Sequence, residues 1–141
     1  GNRLPPTAAD CGAPNEVWSF GEQVYGILKD QLALRERLKP YLLSVMRAAS
    51  QVGLPALRAL FLEFPRDPAC YQVEDAFMLG SDLLVAPVLE YGARSRRVYL
   101  PPGQWRHAWT GDLHPGGQWL EVPAPLEQIP VFIRAESALS L

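Results

Sequence analysis

The residues that could carry chemistry are few and widely spaced. Six aspartates, Asp10, Asp30, Asp67, Asp75, Asp82 and Asp112, fall in segments that read as loop, helix or turn. His107 and His114 stand among turns, and neither has a carboxylate and a nucleophile arranged about it in sequence. Both read as surface polar residues. Cys11 and Cys70 have neither zinc-ligand spacing nor a CxxC motif, so free thiols are expected. Trp105, Trp109 and Trp119 could form a sugar-stacking platform, but packing of a small β core explains them more economically. The same holds for Trp18, Phe20 and Tyr25, whose helical spacing favours a core role. Arg58 and Glu63 lie in an apolar run, where a charge must be paired, and a structural ion pair is expected before catalysis.

The elements that hold these residues divide the chain into a helical and a β half. The opening GNRLPPTAADCGAP is polar, Pro-rich and irregular. Asn15 can cap a helix, with Glu16 in its favoured first turn. From Val17 apolar residues recur every three or four positions to Ala49, predicting a long helix to about Gln51. Pro40 predicts a kink or fresh start, and Gly53 with Pro55 a stop. Lys29, Asp30, Arg35, Glu36, Arg37, Lys39 and Arg47 fall largely between the apolar positions, a solvated face.

Residues 54–90 form the junction. The runs LRALFLEF and DLLVAPVLE each suit a strand buried on both faces. Between them, Gln72 to Leu79 predicts one or two helical turns on the spacing of Val73, Ala76, Phe77 and Leu79. Beyond the junction, short strands are expected at 97–100, 104–109, 118–122, 130–133 and 138–141, separated by Pro/Gly turns. That pattern reads as a small antiparallel sandwich or barrel.

One long helix followed by a fully buried strand is what a (β/α)8 barrel supplies in its last repeat. Such a strand needs neighbours and cover, so the helical half reads as part of something larger. A formal net charge of −2 argues against a nucleic-acid binder, and no run is long enough to span a membrane.

These segments resemble glycoside hydrolase family 31, the α-glucosidase and α-xylosidase family, over essentially the whole chain. NEVWSFGEQVYGILKDQLALRERLKPYLLSVMRAA is similar to the last long helical segment of its catalytic barrel, and LRALFLEFPRDP to the eighth strand. FMLGSDLLVAPVLEYGARSRRVYLPPGQW resembles the crossing into the next domain, a β-sandwich, and WTGDLHPGGQWLEVPAPLEQIPVFIRAES the body of that sandwich. The resemblance implies an α+β chain: residues 1–80 as the C-terminal end of a (β/α)8 barrel, 81–141 as a proximal β-sandwich. It implies a parent enzyme that hydrolyses α-linked glucosides or xylosides with retention, one aspartate as nucleophile and another as acid, with no metal or redox cofactor. None of the six aspartates matches the family's catalytic motifs, so no catalytic residue is expected here. GNR resembles the tripeptide directly after the family's sugar-binding histidine, which would stand one residue before Gly1, and Arg3 is the expected substrate contact.

Two departures stand out: Ala59 where relatives commonly carry proline, and Glu136 where a turn glycine is usual, which would be strained if that site needs a positive φ. The expected partner is the parent's oligosaccharide substrate, with no nucleic acid and no membrane. Homo-oligomerisation through unpaired barrel surfaces is a further expectation. The compartment stays open, the cytoplasm being favoured over secretion. The alternative is a stand-alone carbohydrate-binding or scaffold module, kept alive by the tryptophans of the β half.

Overall fold

A computed structural model describes residues 16–141, which fall into two compact units, 16–36 and 37–141. In the first, a 3-10 turn Val17–Phe20 ends at Gly21, whose φ of +85° is left-handed. That break sets the helix start at Glu22 instead of Val17; Asn15 lies outside the described residues. Trp18, Phe20 and Tyr25 are exposed, against the expected core role.

The helix α1 (Glu22–Val52) is a single element of 31 residues that contains Pro40. Pro40 removes one backbone donor, and a ladder of this length continues past one missing rung. The helix ends as expected: Gly53, at φ +74°, donates its N–H to Ala49 O at 3.0 Å. Lys29, Asp30, Arg35, Glu36, Arg37, Lys39 and Arg47 all lie exposed, as a solvated face requires.

In the second unit the chain continues as β1 (Leu57–Ala59), the single helical turn α2 (Leu60–Glu63), a 3-10 turn Pro68–Tyr71, then β2 (Phe77–Leu79) and β3 (Leu83–Val85). β4 (Ser95–Leu100), β5 (Gln104–His107), β6 (Leu113–Pro115), β7 (Gln118–Pro123) and β8 (Val131–Arg134) complete it. Three expectations are corrected. LRALFLEF is not one strand: after Ala59 the chain coils, and Phe64 N–H donates to Leu60 O at 2.9 Å. An unbroken apolar run fits strand and helix equally, and here it is both. Residues 72–79 are not helical but extend into β2, because Met78 pairs with Arg58 and Leu84 on either side. Residues 138–141 form no strand, whereas Leu113–Pro115, hidden between two turns, does.

The α+β expectation and the antiparallel β half are borne out. Six strands form one sheet in the order β1-β2-β3-β8-β5-β6, and β4 pairs with β7 in a second. Every pairing is antiparallel. The registers align Arg58, Met78, Leu84, Phe132 and His107 in one cross-strand row, so all share a face. That face packs with Val98, Leu100 and Val122 of the smaller sheet, and Trp105 joins the cluster. On the opposite face Leu83, Val131 and Ile133 meet Leu38 and Tyr41 of α1. Tyr41 Oη donates to Leu79 O at 2.8 Å and accepts Asp82 N–H at 3.3 Å, tying helix to sheet turn. Gly80, at φ +64°, has no space for a Cβ against that tyrosine.

Candidate functional site

The densest polar cluster gathers where β1, α2 and β8 meet. Arg58, 7% exposed, ion-pairs with Glu63 and donates Nε–H to Pro55 O at 2.7 Å. The expected structural pair therefore holds, although Glu63 sits on α2 and not on a strand. Arg134 of β8 approaches the same carboxylate, Nη2 to Oε2 at 3.6 Å, and donates Nε–H to Ser81 O at 2.7 Å. Its guanidinium lies 4.7 Å from the Phe64 ring centre and 5.6 Å from that of Trp105. Two arginines on one carboxylate make a clamp that joins α2 to the sheet. It leaves Glu63 no role as a free base.

Beside it Asp67 organises a second cluster. Its carboxylate accepts Ala69 N–H at 3.1 Å, capping the 3-10 turn, and Tyr99 Oη–H at 2.7 Å. It also accepts the Cys70 thiol at 3.4 Å. Burial, then the hydrogen bond to Asp67 and after it that carboxylate's charge, pushes the Cys70 thiol up to about 12, and the same causes raise Tyr99. Cys70 is a free, inert thiol as expected; Cys11 lies outside the described residues. A cleft of about 510 Å³ opens here, lined by residues 63–68 and Pro102.

The remaining aspartates of the second unit also serve the fold. Asp75 faces Nη2 of Arg96 at 2.7 Å; Asp82 accepts Ser81 Oγ–H at 2.7 Å and Ser137 Oγ–H at 2.9 Å. Asp112 accepts Thr110 Oγ1–H at 2.6 Å. A retaining glycosidase needs two carboxylates free to flank a sugar. These three aspartates and Asp67 instead accept hydrogen bonds or ion pairs within the unit. Arg3, the expected substrate contact, lies outside the described residues.

The tryptophans do not form one platform. Trp105 is 1% exposed and donates Nε1–H to Pro101 O at 2.8 Å. Trp109 packs beside Leu83 and donates to Ile129 O at 2.7 Å. Trp119, on the smaller sheet, is 43% exposed, but Arg97 sits 5.2 Å over its ring. The surface reading fails for His107, which is 8% exposed with its ring edge-on to Phe132 at 5.0 Å. It lies inside because its strand position matches that of Phe132 in the buried row. His114 is half-buried against the same phenylalanine, 5.9 Å away.

Sequence reasoning missed Arg134, Asp67 and the Arg96–Asp75 pair. Their partners stand tens of residues away, so only the registers bring them together. At Glu136, Ser137 N–H donates to Arg134 O at 3.0 Å, closing a turn with the glutamate exposed.

The second unit is thus an antiparallel β half whose four aspartates are all engaged within it. The chain belongs to glycosyl hydrolase family 31, matching the description "Glycosyl hydrolase family 31 C-terminal domain" over residues 53–139. It is 37% identical over 126 residues to "Alpha-glucosidase 2" of Bacillus thermoamyloliquefaciens, covering 89% of this chain and 16% of that protein. It is 44% identical over 126 residues to "Sulfoquinovosidase" of Escherichia coli, covering 88% of this chain and 18% of the relative. Among solved structures, a family 31 α-xylosidase from a soil metagenome, complexed with xylose, superposes with a TM-score of 0.87 at 49% identity. That match covers 97% of this chain and 21% of the xylosidase. The chain thus spans about a fifth or less of these relatives.

Proposed function

We propose that this chain is the C-terminal portion of a retaining α-glycosidase acting on α-linked glucosides or xylosides, with both catalytic aspartates upstream. The observation that carries the reading is the family match, confined to the C-terminal domain and to about a fifth or less of each relative. In this reading residues 1–80 end a (β/α)8 barrel and 81–141 form the proximal β-sandwich. β1 and β2 extend the sandwich's six-stranded sheet, so the junction is a shared sheet and not a flexible linker. Uncovered apolar side chains support it: Leu43, Met46, Val52, Leu54, Leu57 and Leu62 are exposed along the end of α1 and around β1. Such a surface on one side of a domain marks an interface. Its role is to buttress the barrel, and the bonded state of its aspartates gives it none in the two-carboxylate chemistry.

The test begins with the coding sequence upstream of Gly1. An open frame of several hundred residues with two barrel aspartates is expected. A start codon at or near Gly1 would overturn the reading. The encoded longer protein should hydrolyse an aryl α-glucoside or α-xyloside and release the α-anomer first, seen by proton NMR, while residues 1–141 alone release none. Release of the β-anomer would refute retention.

A further inference from the structure

We propose that the turn 108–112 between β5 and β6 is a proton-operated latch, with His107 as its sensor, that holds this hairpin closed at neutral pH and releases it in acid. The proposal stands on hydrogen-bond directions and is independent of the glycosidase reading. Nδ1 of His107 faces the backbone N–H of Thr110 at 3.3 Å. A backbone N–H can only donate, so Nδ1 is the acceptor and the proton of the neutral ring sits on Nε2. The Thr110 hydroxyl cannot supply a second hydrogen to Nδ1, because Oγ1 donates its one hydrogen to Asp112 Oδ2 at 2.6 Å. Oγ1 also accepts Asp112 N–H at 3.3 Å. A proton added to Nδ1 therefore meets the Thr110 N–H donor to donor. Thr110 Oγ1, 3.3 Å from Nδ1, can take that proton, but the Thr110 N–H is then left without its acceptor.

That turn holds the edge of the large sheet. His107 N–H donates to Asp112 O at 2.8 Å and Gly111 N–H to His107 O at 2.9 Å. β6 is three residues long, pairs only with β5 and ends the sheet. The groups facing His107 give an added charge little help. From the hairpin come the His114 imidazole and Asp112, whose carboxylate already holds the Thr110 hydroxyl; from β8 comes the uncharged edge of Phe132, while Arg134 lies further along, over Trp105. Burial, and then the neighbouring His114, hold His107 below the ordinary histidine value, with Asp112 opposing. The opened hairpin therefore takes up a proton at a higher pH than the closed one. The closed form keeps its full advantage above about pH 6.5 and loses it as pH falls towards the lower His107 value.

Nitrogen NMR of residues 1–141, labelled with 15N and titrated from pH 8 to pH 4.5, tests this. The expected result is an Nε2–H tautomer for His107 at pH 8. Amide protection at His107 and Gly111 should then fall by up to about tenfold per pH unit below 6.5, with the other strands unchanged. An Nδ1–H tautomer, or hairpin protection that does not follow His107 titration, would overturn the latch. H107N keeps an oxygen acceptor for the Thr110 N–H and takes up no proton. Its hairpin protection should show no step; a step like that of the parent chain would also overturn the proposal. Should H107N fail to fold, the tautomer and protection in the unmodified chain decide alone.

Discussion

On the face of the six-stranded sheet turned towards β4 and β7, Met78, Leu84, Phe132 and Trp105 are closed off from water. Around β1 and the last turns of α1, by contrast, Leu57 is 61% and Met46 59% exposed. The two regions contain similar side chains, so composition does not separate them. What differs is whether the described residues supply the atoms that bury them. The closed face finds its partners between Leu60 and Phe132, largely in strands that pair by register. The end of α1 and β1 leave apolar atoms uncovered among the described residues. The acidic groups cross this divide: Asp67 and Asp75 bond within the closed region, whereas Glu63 ties Arg58 of β1 to α2.

The contrast between the two regions breaks most visibly at Trp105. Trp105→Ala removes the largest fully buried side chain and orphans Pro101 O, and should cost about 3–5 kcal/mol in urea unfolding of the chain. A loss below about 1 kcal/mol would mean that the closed face is not the stabilising one. A smaller effect is expected from alkali. The raised Cys70 and Tyr99 values mean that the folded state holds its protons more tightly than the unfolded chain. Stability is therefore full below about pH 8.5 and falls as pH rises towards 12. C70A should flatten that fall. An unchanged slope between about pH 9 and 11 would remove Cys70 from the network.

How much of this is legible in the sequence depends on the range of the forces involved. Gly53 as a helix stop and the strand at 104–107 are local facts, set by one glycine and by alternation beside a turn. LRALFLEF misleads because a mostly apolar run carries no clear period; the Phe64 N–H to Leu60 O bond shows that the chain coils after Ala59. β6, Leu-His-Pro, is strand because β5 lies beside it, not through its own propensity. The polar clusters are the least legible part. Asp67 and Tyr99 stand 32 residues apart and Ser81 and Arg134 stand 53, and nothing in either segment names the other. The surface reading of His107 fails for the same reason, since its burial is set by Phe132 across the sheet.

Ala59 sharpens the contrast at the open edge. Its φ of −60° is one that proline adopts without strain, and Arg58 before it is extended. Gly80 N–H donates to Ala56 O, so by antiparallel alternation Arg58 bonds to β2 while the Ala59 N–H points away from it. Ala59→Pro thus loses no bond within the described residues and restricts the unfolded chain. A gain of about 0.4–1 kcal/mol is expected. A loss measured by thermal unfolding would show that the Ala59 N–H has a partner after all.

The smallest effect is the most telling for the open region. Met46 is largely exposed on α1, so Met46→Ala in residues 1–141 removes few contacts and helix propensity slightly favours alanine. The change should lie within about 0.5 kcal/mol of zero. If α1 packs against a barrel in the longer protein, the same substitution there opens a cavity and should cost about 2–5 kcal/mol. The ratio between the two measurements reports whether the exposed stripe is an interface, without relying on activity. Equal, near-zero values in both proteins would leave this helix solvent-facing in the longer protein, and the reading of residues 1–80 as a barrel end would fall with it.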